Sequence, residues 1–193
     1  LVDTQQQGTT AVTSLESLAL ARNEKGPMSS RNRYFTLAID PEHPHPMTRE
    51  TLAATVTTAI RKNAATYLNP PITNLCYKGI EKTSREILRW YDTSNNVQEE
   101  FATTAMLMER AGTGGALFRN MYRDFLQEAH QLTGAENINA AHNAFVNIAH
   151  DWSQVIALFE RVGATGDRTH VEQASELLKS LAKQEQAAMQ LLL

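Results

Sequence analysis

The sequence predicts a mainly α-helical protein built as a multi-helix antiparallel bundle. From residue 48 onward, apolar residues recur at spacings of three and four, which is typical of helices with one buried face. Short breaks that contain glycine or proline separate these segments. Helices joined by short connections pack as antiparallel neighbours. The 193 residues, of which 42% are hydrophobic, are enough to bury a core.

Residues 1–40 have a different pattern. Residues 1–3 and 33–39 are rich in strand-forming side chains and predict two strands. Between them, a capping box that begins at Thr13 predicts a helix that ends at Gly26 and Pro27. The sequence therefore predicts a short strand-helix-strand segment without partner strands, followed by a proline-containing linker at residues 41–47 and a helical domain at residues 48–193.

Six helices are predicted in residues 48–193. Thr48 is the predicted N-cap of the first, which ends before Asn69 and the two prolines that follow it. The next helices are expected at about residues 75–91 and 96–110, and a glycine-rich break precedes a fourth that carries Phe118 and Leu132. The fifth is predicted at residues 138–162, and after a turn at residues 163–167 the sixth runs to the C-terminus.

Composition excludes several functional classes. A formal net charge of -3 gives no general attraction to nucleic acid or anionic lipid, and no apolar run is long enough for a membrane span. None of the six histidines lies in the Glu-x-x-His pairs of a di-iron bundle, so no metal is predicted. The single cysteine favours a cytoplasmic location. Because the chain opens on Leu1 in a strand-like segment, we expect it to be a piece of a longer protein.

Two local features admit a chemical and a structural interpretation. Cys76 lies near a predicted helix N-terminus, where the pKa of a thiol can be lowered, but lone cysteines are usually core residues. A glycine-rich segment precedes the fourth helix, where free backbone amides and flanking arginines would suit an anion. Its candidate residues are Arg110, Gly112, Gly114, Gly115 and Arg119. In both cases the structural interpretation, a core thiol and a tight interhelical turn, is favoured.

Four cations share one face of the second predicted helix. They are spaced four, three and four residues apart, and we call them the basic stripe: Lys78, Lys82, Arg85 and Arg89. Apolar residues with the same spacing mark the opposite face as buried. Such a stripe is usually a solvated surface, and the functional alternative is a docking surface for an acidic partner.

The order of several short motifs resembles proteins related to butirosin biosynthesis protein H. The motifs include VTSLESLALAR at residues 12–22, Pro70-Pro71 and, above all, GTGGALFR at residues 112–119. The resemblance covers nearly all of the chain and ends with the helix around Trp152. Proteins of this family join a papain-like, C39-peptidase-like N-terminal domain to a helical C-terminal domain. The resemblance implies acyl transfer in secondary-metabolite biosynthesis, from a carrier-protein thioester to an amine of an aminoglycoside-type antibiotic.

The same resemblance assigns roles to parts of this chain. Residues 1–40 would be the end of the papain-like domain, and Asp3 would orient the catalytic histidine. The nucleophilic cysteine and that histidine would precede Leu1, which would leave the chain catalytically incomplete. The implied partners are an acyl carrier protein or a small-molecule thioester and an amine acceptor, with no cofactor beyond the phosphopantetheine arm of the donor. Two alternatives stay open: a thiol hydrolase on the same scaffold, and a noncatalytic binding or oligomerisation module in which the last helix pairs with a second copy.

Overall fold

A computed structural model describes residues 12–26, 32–36, 38, 48–110 and 115–193, with the side chain of residue 110 excepted. These residues form seven α-helices and no strand. The helices are α1 Leu15–Asn23, α2 Arg49–Leu68, α3 Cys76–Thr93, α4 Val97–Arg110, α5 Ala116–Thr133, α6 Glu136–Thr165 and α7 Arg168–Gln190. The predicted mainly α-helical class is confirmed. The chain divides into two compact units, Leu1–Pro46 and Met47–Leu193.

The first unit contains α1. Its N-cap is Ser14, whose side-chain oxygen accepts a hydrogen bond from the Ser17 amide at 3.0 Å. The predicted cap at Thr13 was therefore wrong by one residue. Residues 33–36 and 38 do not form the predicted strand, because a strand needs a neighbouring strand to bond its backbone and the described part of this unit supplies none. The other predicted strand, Asp3 and the linker at residues 41–47 lie outside the described residues.

The second unit is built around α6. This helix packs against α4, α5 and α7, while α3 packs on α7 and α2 contacts α5 and α7. Ten residues of α6 are buried, among them Phe145, Trp152 and Phe159. The buried face of α7 faces them with Leu178 and Leu181. The six predicted helices of this unit are confirmed.

The predicted helix ends agree with the structure at the start of α2 and differ from it at the end of α6. Thr48 caps α2 as predicted, accepting from the Thr51 amide at 3.2 Å. The predicted turn at residues 163–167 was wrong in its first half, because α6 continues to Thr165 and ends at Gly166, whose φ is +69°. Gly163 lies inside the helix, where a Cβ atom would stand 2.8 Å from the Cβ atom of Ala102. Its missing side chain therefore allows α4 and α6 to approach closely.

Helices α3 and α4 meet near the short connection between them. The Trp90 ring stacks on the Phe101 ring with 4.4 Å between centroids, and the Tyr91 ring meets Phe101 edge-on. Beyond this aromatic contact the two helices rest on different supports, α3 on α7 and α4 on α6. The space between them forms the candidate site.

Candidate binding cleft

A cleft of about 890 Å³ lies between α3 and α4. Helices α6 and α7 form its floor, and Tyr67 of α2 and Arg119 of α5 also line it. Most of its lining is apolar, including Ile87, Trp90, Leu107, Met108, Trp152 and Phe159. Its volume and its mixture of apolar walls with a few polar groups are typical of sites for small molecules.

A buried carboxylate organises one end of this cleft. Glu185 of α7 is 1% exposed and accepts hydrogen bonds from three other helices. Arg119 Nε lies 2.8 Å from Oε1 and Arg119 Nη2 lies 3.2 Å from Oε2. Trp152 Nε1 donates to Oε1 at 2.6 Å, and the Tyr67 hydroxyl donates to Oε2. These four donors compensate the desolvation of a charge that would otherwise be costly to bury.

Arg119 is held on a second side by an aromatic ring. Its guanidinium carbon lies 4.5 Å from the centroid of the Trp152 ring, within the range of a cation–π interaction. The positive charge of Arg119 is thus engaged by the Glu185 carboxylate and the Trp152 ring. This arrangement gives Arg119 a structural role in the cleft.

The remaining residues of the predicted anion site are placed only in part. Gly112 and Gly114 lie outside the described residues, as does the side chain of Arg110. Gly115 is buried at the N-cap of α5, where a Cβ atom would stand 2.5 Å from the Met108 carbonyl oxygen. The structure therefore supports a tight interhelical connection at Gly115, and anion binding by this segment stays a prediction.

Cys76 lines the cleft at the first residue of α3, with a φ of +57° that is uncommon for a residue with a side chain. Burial is the main cause that raises the pKa of its thiol, and the Glu185 charge raises it further, while Arg119 opposes the change. The lowered pKa that a helix N-terminus can produce is therefore absent. Cys76 is a poor candidate for a nucleophile at neutral pH.

The basic stripe has the predicted geometry. Lys82, Arg85 and Arg89 are exposed and Lys78 is half-buried, while the opposite face of α3 is buried at Ile80, Ser84 and Ile87. Arg85 forms an ion pair of 2.9 Å with Glu81, and Lys82 Nζ donates to Asn74 Oδ1 at 2.9 Å. Lys82 and Asn74 also line the cleft, so the stripe and the cleft share one edge. Docking of a partner on the stripe stays a prediction.

The sequence reasoning missed Glu185 and Tyr67. Glu185 lies at helical spacing with Leu178, Leu181 and Met189, so it is a charged residue on the apolar face of α7. That pattern predicts a buried ion pair, because a carboxylate on the apolar face of a helix requires a buried partner. Its partner, Arg119, is 66 residues away in the sequence and could not be predicted from spacing.

No helix among the described residues is long and apolar enough to cross a membrane. No group of three or more His, Cys, Asp or Glu side chains in this part of the chain is arranged to hold a metal ion.

Comparison with known families places the chain in one of them. It belongs to the family described as Domain of unknown function (DUF4872), whose model matches residues 16–192. The match begins inside α1 and so includes residues of both structural units. No curated protein and no solved structure matches the chain. The functional argument therefore depends on the residues of the cleft.

Replacing Arg119 by Met should destabilise the protein strongly. The Glu185 charge would stay buried without its main partner, and we expect the free energy of unfolding to fall by about 3–5 kcal/mol. Arg85→Met is the control, because its ion pair with Glu81 is exposed and should contribute at most about 1 kcal/mol. Urea unfolding followed by circular dichroism measures both. If the free energy of unfolding falls equally in the two variants, the buried ion pair contributes no more to stability than the exposed one.

The thiol of Cys76 should react at a higher pH than a free thiol. Because burial raises its pKa, the reactive thiolate forms only as the pH rises above the value of about 8.5 typical of free cysteine. The alkylation rate with iodoacetamide should therefore still be increasing where the rate for a short peptide with one cysteine and blocked termini has levelled off. Mass spectrometry of the native protein gives the rate at each pH. A profile that coincides with that of the peptide, or lies below it in pH, would contradict the assignment.

Proposed function

We propose that this chain is the helical domain of a cysteine-dependent acyltransferase resembling butirosin biosynthesis protein H. The proposed reaction moves an acyl group from a carrier-protein thioester to an amine in secondary-metabolite biosynthesis. The observation that supports it is the mostly apolar cleft of about 890 Å³ between α3 and α4. A concave, mostly apolar site of this kind suits the chain of a bound acyl group.

The proposal divides the chemistry between two domains. A thiolate attacks the thioester carbonyl, the carrier thiol leaves, and the acceptor amine then displaces the enzyme thiolate from the acyl-enzyme while a histidine transfers the protons. Residues 1–40 would belong to the papain-like domain that holds the thiol and the histidine, and Asp3 would orient the histidine. The raised pKa of Cys76 agrees with a nucleophile elsewhere. A protein with this chemistry and one cysteine in its helical domain suits the reducing cytoplasm.

A noncatalytic module is the second candidate. Leu178 and Leu181 of the last helix are buried inside the bundle, whereas Leu191 and Leu193 just beyond it are exposed and available to a second copy. Helix α5 also exposes a row of large apolar side chains: Leu117, Phe118, Met121 and Phe125. Exposed apolar patches are typical of interaction surfaces, and this row is the observation that favours the alternative. A thiol hydrolase would use the same cleft, with water in place of the amine.

Acyl transfer can be tested with the natural polypeptide that contains this chain. Given an aminoacyl thioester of a carrier protein and an aminoglycoside amine, it should release the carrier thiol and form the acylated amine. Asp3→Ala should lower kcat by about a hundredfold or more, because the histidine loses its orienting partner. Asp124→Ala is the matched control, since this aspartate is exposed on α5. A thiol assay measures release of the carrier thiol, and mass spectrometry measures formation of the acylated amine.

The outcomes separate the candidates. Thioester consumption without an acylated amine would indicate a hydrolase, and an intact thioester would favour the noncatalytic module. Near-normal turnover in Asp3→Ala would remove Asp3 from the catalytic set.

The basic stripe should contribute to binding of an acidic carrier protein. Arg85 and Arg89 are exposed and away from the cleft lining, so Arg85→Glu with Arg89→Glu tests the stripe while Lys82 stays unchanged. We expect the Kd for the carrier to increase at low salt and the difference to shrink at about 1 M salt, where charges are screened beyond about 3 Å. Arg61→Glu with Lys62→Glu, on an exposed part of α2, is the control. Equal Kd values for the two double variants would exclude docking on the stripe.

A further inference from the structure

The shape of the cleft restricts the shape of its ligand. Gly79, Thr83, Glu86 and Trp90 line it from α3 at spacings of four, three and four residues, so one face of the helix follows the cleft. From residue 76 to residue 90 this face is about 21 Å long, at 1.5 Å per residue. The stack of Trp90 on Phe101 joins α3 and α4 at the far end. The cleft therefore favours an elongated molecule.

The floor and the α4 side of the cleft favour an apolar body in that molecule. Trp152 and Phe159 are 5% and 3% exposed and form part of the floor, and Leu107 and Met108 line the cleft from α4. A polar chain placed there would lose its hydration and find few hydrogen-bond partners besides Thr104, whereas an apolar chain would gain from burial. Among the polar lining residues, Asn74, Cys76 and Lys82 lie on or just before the first two turns of α3. Thr83 and Glu86 follow further along α3, and Thr104 lines the cleft from α4.

The charges at that polar end favour an anion. Arg119 and Glu185 neutralise each other, which leaves the ammonium group of Lys82, whose described hydrogen bond is to the neutral side-chain amide of Asn74. The α3 N-terminus begins beside them without a side-chain cap, so its first backbone N–H groups add hydrogen-bond donors at this end. Glu86 lies one turn further along α3 and would repel an anion placed nearer the aromatic end.

We infer that the cleft binds an elongated amphiphile with a single carboxylate. The carboxylate accepts hydrogen bonds from Lys82 Nζ and the side-chain amide of Asn74, and the apolar chain extends along α3 toward Trp90 and Phe159. This inference rests on the cleft that the proposed function uses. It needs no acyl transfer, so a failed turnover assay and a failed binding assay are separate results.

Alkylation of the lone cysteine can measure how much of the cleft is occupied by a ligand. Cys76 is the one cysteine among the 193 residues and lines the cleft, so an occupied cleft should slow its alkylation. The probes are decanoate and decylamine, which share a chain length and differ in the sign of the head-group charge. Decanoate should slow alkylation in a saturable way, and decylamine at the same concentration should not. Protection by decylamine equal to that by decanoate, or no protection by decanoate, would overturn the inference.

Variants test the head-group contact and the apolar path separately. Lys82→Gln should raise the decanoate concentration for half-maximal protection about tenfold, as expected when a hydrogen bond to a charged group is lost. Lys62→Gln, which changes an exposed lysine of α2, should leave it unchanged. An unchanged value in Lys82→Gln would overturn the assignment of the carboxylate to Lys82.

The second pair uses two leucines of equal exposure. Leu107 and Leu117 are 38% and 37% exposed, but Leu107 lines the cleft and Leu117 does not. Leu107→Trp should block the chain path and abolish protection, whereas Leu117→Trp should retain it. Circular dichroism verifies that both leucine variants fold. If either does not fold, the comparison of Lys82→Gln with Lys62→Gln tests the inference without them. Full protection in a folded Leu107→Trp protein would contradict the proposed path.

Discussion

One buried carboxylate connects four helices of this bundle. Glu185 of α7 accepts hydrogen bonds from Tyr67 of α2, Arg119 of α5 and Trp152 of α6. Apolar packing attracts these helices without a preferred direction, whereas hydrogen bonds to a buried charge require a defined geometry. Since an unpaired charge in the interior costs several kcal/mol, each donor is held in place. The network therefore fixes how the helices sit against one another and forms the polar end of the cleft.

The open space beside this network follows from the way that the helices are supported. Helix α3 packs on α7, and α4 packs on α6, where Gly163 allows Ala102 to approach. The walls of the cleft thus rest on different neighbours and meet mainly at the stack of Trp90 on Phe101. Each wall of the cleft therefore has its own support within the bundle.

Local signals were sufficient to predict the helices but not the site. The cap at Thr48 and the stop after Leu68 are encoded within a few residues, and both were predicted correctly. Gly163 was misassigned to a turn, because sequence does not distinguish a glycine needed for its small size from one needed for a positive φ, such as Gly166. The Glu185 network escaped prediction for a different reason, since its members come from four helices whose contacts no local pattern determines.

Two residues of the glycine-rich segment, Gly115 and Arg119, have structural roles at or near this network. Gly115 lets the start of α5 lie against the Met108 carbonyl at the end of α4, where any side chain would collide. Arg119 follows four residues later, one turn into α5, where its side chain contacts Glu185. Met108 and Arg119 both line the cleft. Gly115 and Arg119 thus act through packing and ion pairing at one end of a mostly apolar cleft, although the sequence pattern around them is also typical of an anion-binding loop.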